Sequence, residues 1–197
     1  MQQQKDIYRQ EALRHRERMD IRDEDPEIAV ENFLREINPA TNQIISLFWP
    51  KDREFDTIPL IHALLQHNFR VALPVIPKEG RVLLFKQWQE DDDLTLGKYG
   101  IMEPVLKSEA EAVLPDIVVV PLLAFDRKGH RLGYGGGYFD VTLEALRAQK
   151  QIIAVGIGFS KQAVLFNLPV EEHDQMLDWV ITPKDVYCFD ETKKAHA

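Results

Sequence analysis

Apolar residues at helical spacing first appear where the pattern is thinnest. From Gln3 to about Met19 the chain is charged and helix-compatible, with Ile7, Ala12, Leu13 and Met19 as a sparse apolar stripe. The next helix is better marked. Asp25 can cap it, Pro26 can take its first position, and Ala29, Val30, Phe33, Leu34 and Ile37 follow at helical spacing until Asn38 and Pro39 stop it. Gln43 to Trp49 reads as a strand, and Thr57 to His67 as a helix with Leu60, Ile61, Leu64 and Leu65 on one face. Arg70 to Ile76 and Arg81 to Trp88 read as further strands. An acidic run, Glu90 to Asp93, and the segment LGKYGIMEP then predict a long surface excursion of the kind that often lines a site. Ile117 to Pro121 has apolar residues on both sides of the chain, the pattern of a central parallel strand covered on both faces. Tyr138 to Gln149 reads as a helix with Leu143 and Leu146 inward, Gln151 to Ile157 as a buried strand, Lys161 to Phe166 as a short helix and Trp179 to Thr182 as a last strand. Strands alternating with helices, without an internal repeat, predict an α/β fold over residues 1–197. It is expected to be a single domain with three layers, helix, sheet and helix, around a mostly parallel sheet.

Composition narrows the possible partners. Apolar residues make up 45% of the 197 positions, enough to fill a core at this length. Asp and Glu number 32 against 24 Lys and Arg, and the resulting net charge of −8 argues against nucleic acid as a partner. Cys188 is the only cysteine, so no intrachain disulfide can form. The longest apolar stretch, Ile117 to Phe125, is broken by Pro121 and falls far short of the ~20 residues of a membrane-spanning helix. The opening residues MQQQKDIYRQ lack the apolar centre of a signal peptide. The expectation is a soluble, cytoplasmic protein with no membrane partner.

Five of the ten glycines fall between Gly129 and Gly137, in KGHRLGYGGGYFD, between a buried strand and a helix. Small residues there let backbone amides converge, and the helix start adds free amides and a positive partial charge, which together cradle anions such as phosphate. The spacing is neither a Walker loop nor a dinucleotide-binding loop, since no Lys-Ser/Thr pair closes it and Tyr138 stands where a last glycine is needed. A plain surface turn is the alternative for such a glycine cluster. Arg131 and Lys128, placed at the loop's mouth, favour the anion. Asp140 in the following first turn suits the helix dipole, or magnesium beside a polyphosphate. If it holds such an ion, its replacement by Asn is expected to impair function with little loss of stability. Lys5 and Arg9, four apart, share one helix face, which read alone is a solvated charged surface. Glu54 reads as a loop charge near a helix start. No metal spacing among the six histidines and no G-x-S-x-G elbow is present.

The segment PLLAFDRKGHRLGYGGGYFD, Pro121 to Asp140, resembles the P-x-x-A-F-D-x-x-G-x-R-L-G-x-G-x-G-Y-Y-D signature of the 5-formyltetrahydrofolate cyclo-ligases, also called methenyltetrahydrofolate synthetases. Similar matches run through most of the chain: Lys5, Arg9 and Arg16; Glu54 to Thr57; Ala72 to Pro74; Gly100 to Pro104; and Leu168 to Asp174. The resemblance implies a three-layer α/β/α fold, similar to that of sugar-phosphate isomerases and CoA-transferases. It implies an enzyme that uses ATP and magnesium to convert 5-formyltetrahydrofolate to 5,10-methenyltetrahydrofolate, releasing ADP and phosphate; a monomer is the expectation, with a weak dimer the alternative.

Carried over residue by residue, the resemblance gives Lys5, Arg9 and the loop Arg131, Leu132, Gly133, Tyr134, Gly135, Gly136, Gly137, Tyr138 and Phe139 to ATP, with Arg131 stabilising charge. It gives Asp140 and Asp174 to magnesium, and Trp49, Glu54, Tyr134 and Tyr138 to the folate. It implies no protein nucleophile. The chain departs from the pattern at Tyr134 and Gly136, where some relatives carry basic residues, at Phe139 in place of Tyr, and at Val141 where Arg is frequent. A phosphometabolite sensor or a sugar-phosphate isomerase on the same scaffold are the competing readings, and ATP consumption separates them from a ligase.

Overall fold

Short β-branched runs with apolar residues on both sides build the centre of a seven-stranded sheet. The computed structural model describes residues 2–108 and 111–190. Strands β1 (Ile44–Ser46), β2 (Arg70–Val75), β6 (Ile117–Val120), β9 (Ile153–Ile157) and β10 (Trp179–Ile181) run parallel. Two antiparallel strands, β3 (Leu84–Gln87) and β11 (Val186–Cys188), close the edges, giving the order β11-β10-β9-β6-β1-β2-β3. The sequence pattern marks all of these except β11, whose short half-buried run VYC carries little periodicity.

Side chains alternate between two cores as strand geometry requires. Ile45, Leu47, Val71, Leu73, Ile117, Val119, Val155 and Ile157 face α2 (Pro26–Glu36) and α3 (Ile58–Gln66), joined by Phe33, Leu60, Ile61 and Leu64. Ala72, Val118, Val120, Ala154 and Val180 face α4 (Tyr138–Arg147), whose Leu143 and Leu146 are almost fully buried. Each such leucine contributes roughly 1.5–3 kcal/mol relative to exposure. The Asp25 side chain accepts from the Glu27 N–H and caps α2, with Pro26 in the first turn, as its sequence predicts.

Three departures from the sequence reading concern the connections. The short helix expected over Lys161 to Phe166 is a single 3₁₀ turn, Ser160–Gln162. Gln162 turns inward there, its amide donating to Leu122 O and Leu123 O and its oxygen accepting from Phe159 N–H. The excursion after Glu90 folds as a hairpin of β4 (Leu94–Leu96) and β5 (Met102–Pro104). A second hairpin, β7 (Ala124–Phe125) with β8 (Arg131–Leu132), intervenes between β6 and the glycines. Buried Asp126 pins it, accepting from the N–H groups of Lys128, His130 and Leu168.

Helix α1 (Gln2–Arg18) is docked by charge more than by apolar packing. Its buried residues are Lys5 and Arg16, while Ile7 and Leu13 remain exposed. Lys5, Arg9 and Arg16 fall on one helical face, since steps of four and seven residues return to nearly the same angle. Among the described residues no helix is long and apolar enough to cross a membrane.

Candidate active site at the carboxyl ends of the parallel strands

Within the parallel strands the order reverses between β1 and β6: the chain leaves β1 for β2 on one side and leaves β6 for β9 on the other. Sheets of this kind open a crevice beyond the strand ends at that point. The crevice here is a cavity of about 720 Å³. Its walls come from residues 48–54 after β1, from Pro74, Ile76 and Arg81 after the start of β2, and from residues 131–140 after β6. Glu171 and Asp174 after β9, Lys5, Arg9 and Arg16 from α1, and Tyr99 and Glu103 from the β4–β5 hairpin complete them.

All fifteen residues nominated from the sequence line this one cavity: Lys5, Arg9, Trp49, Glu54, Arg131, Leu132, Gly133, Tyr134, Gly135, Gly136, Gly137, Tyr138, Phe139, Asp140 and Asp174. Lys128 does not. It lies exposed on the β7–β8 turn, so Arg131 is the cation that segment brings to the cavity. Sequence reasoning gave no role to Arg81, Tyr99, Glu103 and Glu171, although Glu103 and Glu171 fall inside segments that match the family.

The glycine loop follows β8 and enters α4 through Gly137, which has a left-handed backbone (φ 70°) and serves as the helix's N-cap residue. Gly135 is also left-handed, at φ 97°, and a Cβ there would come 3.3 Å from the Arg9 guanidinium. Arg9 Nε donates to Gly133 O at 3.0 Å, so α1 holds the loop directly. Thr142, buried in α4, bonds back to Tyr138 O at 2.6 Å and accepts from the Leu83 N–H at 2.8 Å, tying the helix start to the segment before β3.

Cations and carboxylates interlock around this loop. Lys5 Nζ donates to Asp174 at 2.5 Å and Glu171 at 2.8 Å. Burial works to lower the Lys5 pKa, but those hydrogen bonds outweigh it and Lys5 titrates above its usual range. Asp174 is likewise pushed up by burial and pulled further down by the Glu171 N–H and by Lys5, ending below the usual carboxylate range. Arg131, nearly buried, pairs with Asp140 at 3.0 Å and donates to Gln175 O at 3.0 Å. Burial leaves its pKa below the ordinary arginine value despite Asp140. Among the described residues, Glu171, His173 and Asp174 form the group whose ligand atoms lie within 4.8 Å of one another, and Asp140 is outside it.

The other end of the cavity is aromatic and carboxylic. The Tyr134 hydroxyl accepts from Arg16 and hydrogen-bonds Glu54. Burial raises the Glu54 pKa above its usual value, an effect the Tyr134 bond opposes, and burial with the neighbouring Glu54 charge raises that of Tyr134. Trp49 packs edge-on to Trp88, their rings 5.8 Å apart. Tyr99 and Tyr138 meet edge-on at 6.2 Å across the cavity mouth. Glu103 is buried, with Oε2 accepting from the Ile76 N–H and Oε1 lacking a partner among the described residues, and burial raises its pKa.

The arrangement can bind an extended anion against the glycine loop and the α1 cations, with a planar, donor-rich group at the aromatic end. Comparison with known proteins identifies the family. A 5-formyltetrahydrofolate cyclo-ligase of Haemophilus influenzae is 41% identical over 135 residues, 66% of this chain and 70% of that one. The Escherichia coli K12 protein of the same name is 38% identical over 149 residues, 73% and 79% of the two chains. The solved structure of Aquifex aeolicus 5,10-methenyltetrahydrofolate synthetase superposes with a TM-score of 0.76 at 26% identity, over 98% of this chain and 96% of that one. The Mycoplasma pneumoniae synthetase, at 22% identity and a TM-score of 0.66 over 91% and 98%, shares the fold. Residues 1–183 match the 5-formyltetrahydrofolate cyclo-ligase family profile, and the chain belongs to that family.

Proposed function

We propose that this chain closes 5-formyltetrahydrofolate to 5,10-methenyltetrahydrofolate at the expense of ATP, releasing ADP and phosphate. The observation that carries the reading is the convergence of the glycine loop, Lys5, Arg9 and Arg131 with Trp49, Glu54, Tyr134 and Tyr138 in one cavity. A formyl oxygen is a poor leaving group. Phosphoryl transfer from ATP to that oxygen gives an iminium phosphate, the neighbouring arylamine nitrogen attacks the formyl carbon and loses its proton, and phosphate departs. The side chains form no covalent bond in this scheme. Lys5, Arg9 and the loop amides hold the phosphates in line, and Arg131 offsets the charge that builds on the transferring group.

The carboxylates suit magnesium, a hard cation that takes oxygen ligands. Asp140 Oδ1 faces Arg131 and Asp174 Oδ2 faces Lys5, so each keeps a second oxygen with acceptor capacity. When bound, the ion neutralises charge on phosphate oxygens. At the other end, Glu54 accepts hydrogen bonds from pterin N–H groups, Trp49 packs on the ring, and Tyr134 and Tyr138 flank the formyl group. The protein acts as a cytoplasmic, single-domain monomer, which light scattering on the purified protein tests for oligomeric state.

The deciding experiment follows the methenyl chromophore with purified protein, 5-formyltetrahydrofolate and magnesium, with and without ATP. Product only with ATP, matched one for one by ADP, is the expected result. ATP-independent product, or none from folded protein that binds folate, refutes the reading.

A further inference from the structure

The cations lining the cavity differ in whether the protein already neutralises them. Lys5 is paired with Glu171 and Asp174, Arg9 with Asp6, and Arg131 with Asp140, while Arg16 donates to the Tyr134 hydroxyl and Lys51 to Tyr99 O. Arg81 has no ion-pair or hydrogen-bond partner among the described residues, although it lines the same cavity. Its location is specific. A Cβ built on Gly137 would lie 3.5 Å from Arg81 Nη1, which puts the guanidinium against the last glycine of the loop. The anchor is two residues away, where the Leu83 N–H donates to Thr142 Oγ1 at 2.8 Å and fixes this segment to the first turns of α4.

Two positive features therefore meet: a guanidinium with no ion-pair partner among the described residues and the start of a ten-residue helix, whose first-turn acid, Asp140, is engaged by Arg131. That juxtaposition is unfavourable in the empty protein and becomes favourable when a phosphate group sits between them. Within the loop itself, Leu132 to Gly137 contains no cation, so the charge for a bound phosphate has to come from outside it. We infer that Arg81, supplied in space from the β2–β3 connection, is a phosphate-binding residue of the nucleotide site and clamps the phosphate chain against Gly137. The inference rests on the proposed use of ATP. A guanidinium suits the role because its planar fork can donate twice to one phosphate.

The test compares the wild type with Arg81→Ala and Arg81→Lys by calorimetric titration with ATP, ADP and 5-formyltetrahydrofolate. Arg81 is exposed, so both variants should retain the wild-type melting temperature, and the folate affinity should stay unchanged. The expected result is ATP binding about ten-fold to a hundred-fold weaker in Arg81→Ala, from the loss of charge-assisted hydrogen bonds, with partial recovery in Arg81→Lys. Weakening of ATP alone places Arg81 on the terminal phosphate, and weakening of ATP and ADP together places it on an inner one. Equal nucleotide affinity in wild type and Arg81→Ala overturns the inference. Failure of the wild type itself to bind ATP refutes instead the proposed function.

Discussion

Lys5 Nζ and Asp174 Oδ2 lie 2.5 Å apart although 169 positions separate them in the chain. The bond docks the first helix over the glycine loop, and its lysine is only 4% exposed. Removing it leaves Asp174 and Glu171 as neighbouring, uncompensated carboxylates. Lys5→Ala should therefore lower stability by about 1–3 kcal/mol and raise the ATP concentration needed for half-maximal rate about ten-fold or more. Thermal melting and initial rates against ATP check both. A variant with unchanged ATP dependence returns the first helix to a purely structural role.

The same pair sets an acid limit. Asp174 titrates below its ordinary 3.8 in the folded protein, because the Glu171 N–H and Lys5 outweigh burial. A lowered carboxylate contributes stability that is complete above its unfolded pKa and is lost as pH falls through the folded value. The difference in stability between wild type and Asp174→Asn should thus be constant above about pH 4 and should shrink below it. A gap that widens on acidification contradicts this assignment.

Asp140→Asn should lower turnover, as its place beside the phosphate loop suggests, but the structure changes the expected cost. Asp140 neutralises the nearly buried Arg131 at 3.0 Å and accepts from the Gln175 N–H. Both contacts fall on Oδ1, so Asn can keep them as neutral hydrogen bonds but loses the charge that offsets Arg131. The variant should be destabilised by about 1–3 kcal/mol, in contrast to the small loss expected if its role were metal placement alone. Denaturant melts alongside turnover at saturating ATP and magnesium separate the two effects.

Tyr134→Phe removes a hydrogen bond that holds the Glu54 pKa down against burial. Glu54 should then protonate at a still higher pH. Where the ionised carboxylate receives the pterin, the acid-side midpoint of 5-formyltetrahydrofolate binding moves upward in Tyr134→Phe, and Glu54→Gln has no such midpoint. Titrations across pH 4–7 with the three proteins read this directly. A midpoint that stays in place in Tyr134→Phe removes Glu54 from folate binding.

Gly135→Ala combines two penalties. At φ 97° an L side chain is strained, and the new Cβ would sit 3.3 Å from the Arg9 guanidinium. A cost of roughly 1–2 kcal/mol is expected, together with weaker ATP binding as Arg9 is displaced. Unchanged nucleotide affinity at reduced stability would restrict the glycine to a backbone role.

The α/β layering was legible in the sequence because it is written at short range. The both-sided apolar run at Ile117 to Pro121 and the inward pair Leu143 and Leu146 report burial through spacing alone, as does the Asp25-Pro26 helix start. The glycine loop was legible for the same reason, since small residues between a buried strand and a helix start constrain the backbone locally. The two small hairpins escaped, because two- and three-residue strands carry too little periodicity. The helix expected over Lys161 to Phe166 is cut to one 3₁₀ turn, Ser160–Gln162, where Gln162 bonds buried backbone carbonyls. What the sequence determined by itself was the layering, the place of the glycine loop and, through the family resemblance, which residues to expect together in one cavity. Only the tertiary structure decided which charges are neutralised. Lys5 and Arg9 read alone as a solvated face, and their meaning as a docked cationic stripe depends on Asp174 and Gly133, which the reversal of strand order brings within bonding distance. Electrostatic partners are fixed by distance in space, and no local spacing in the chain encodes that.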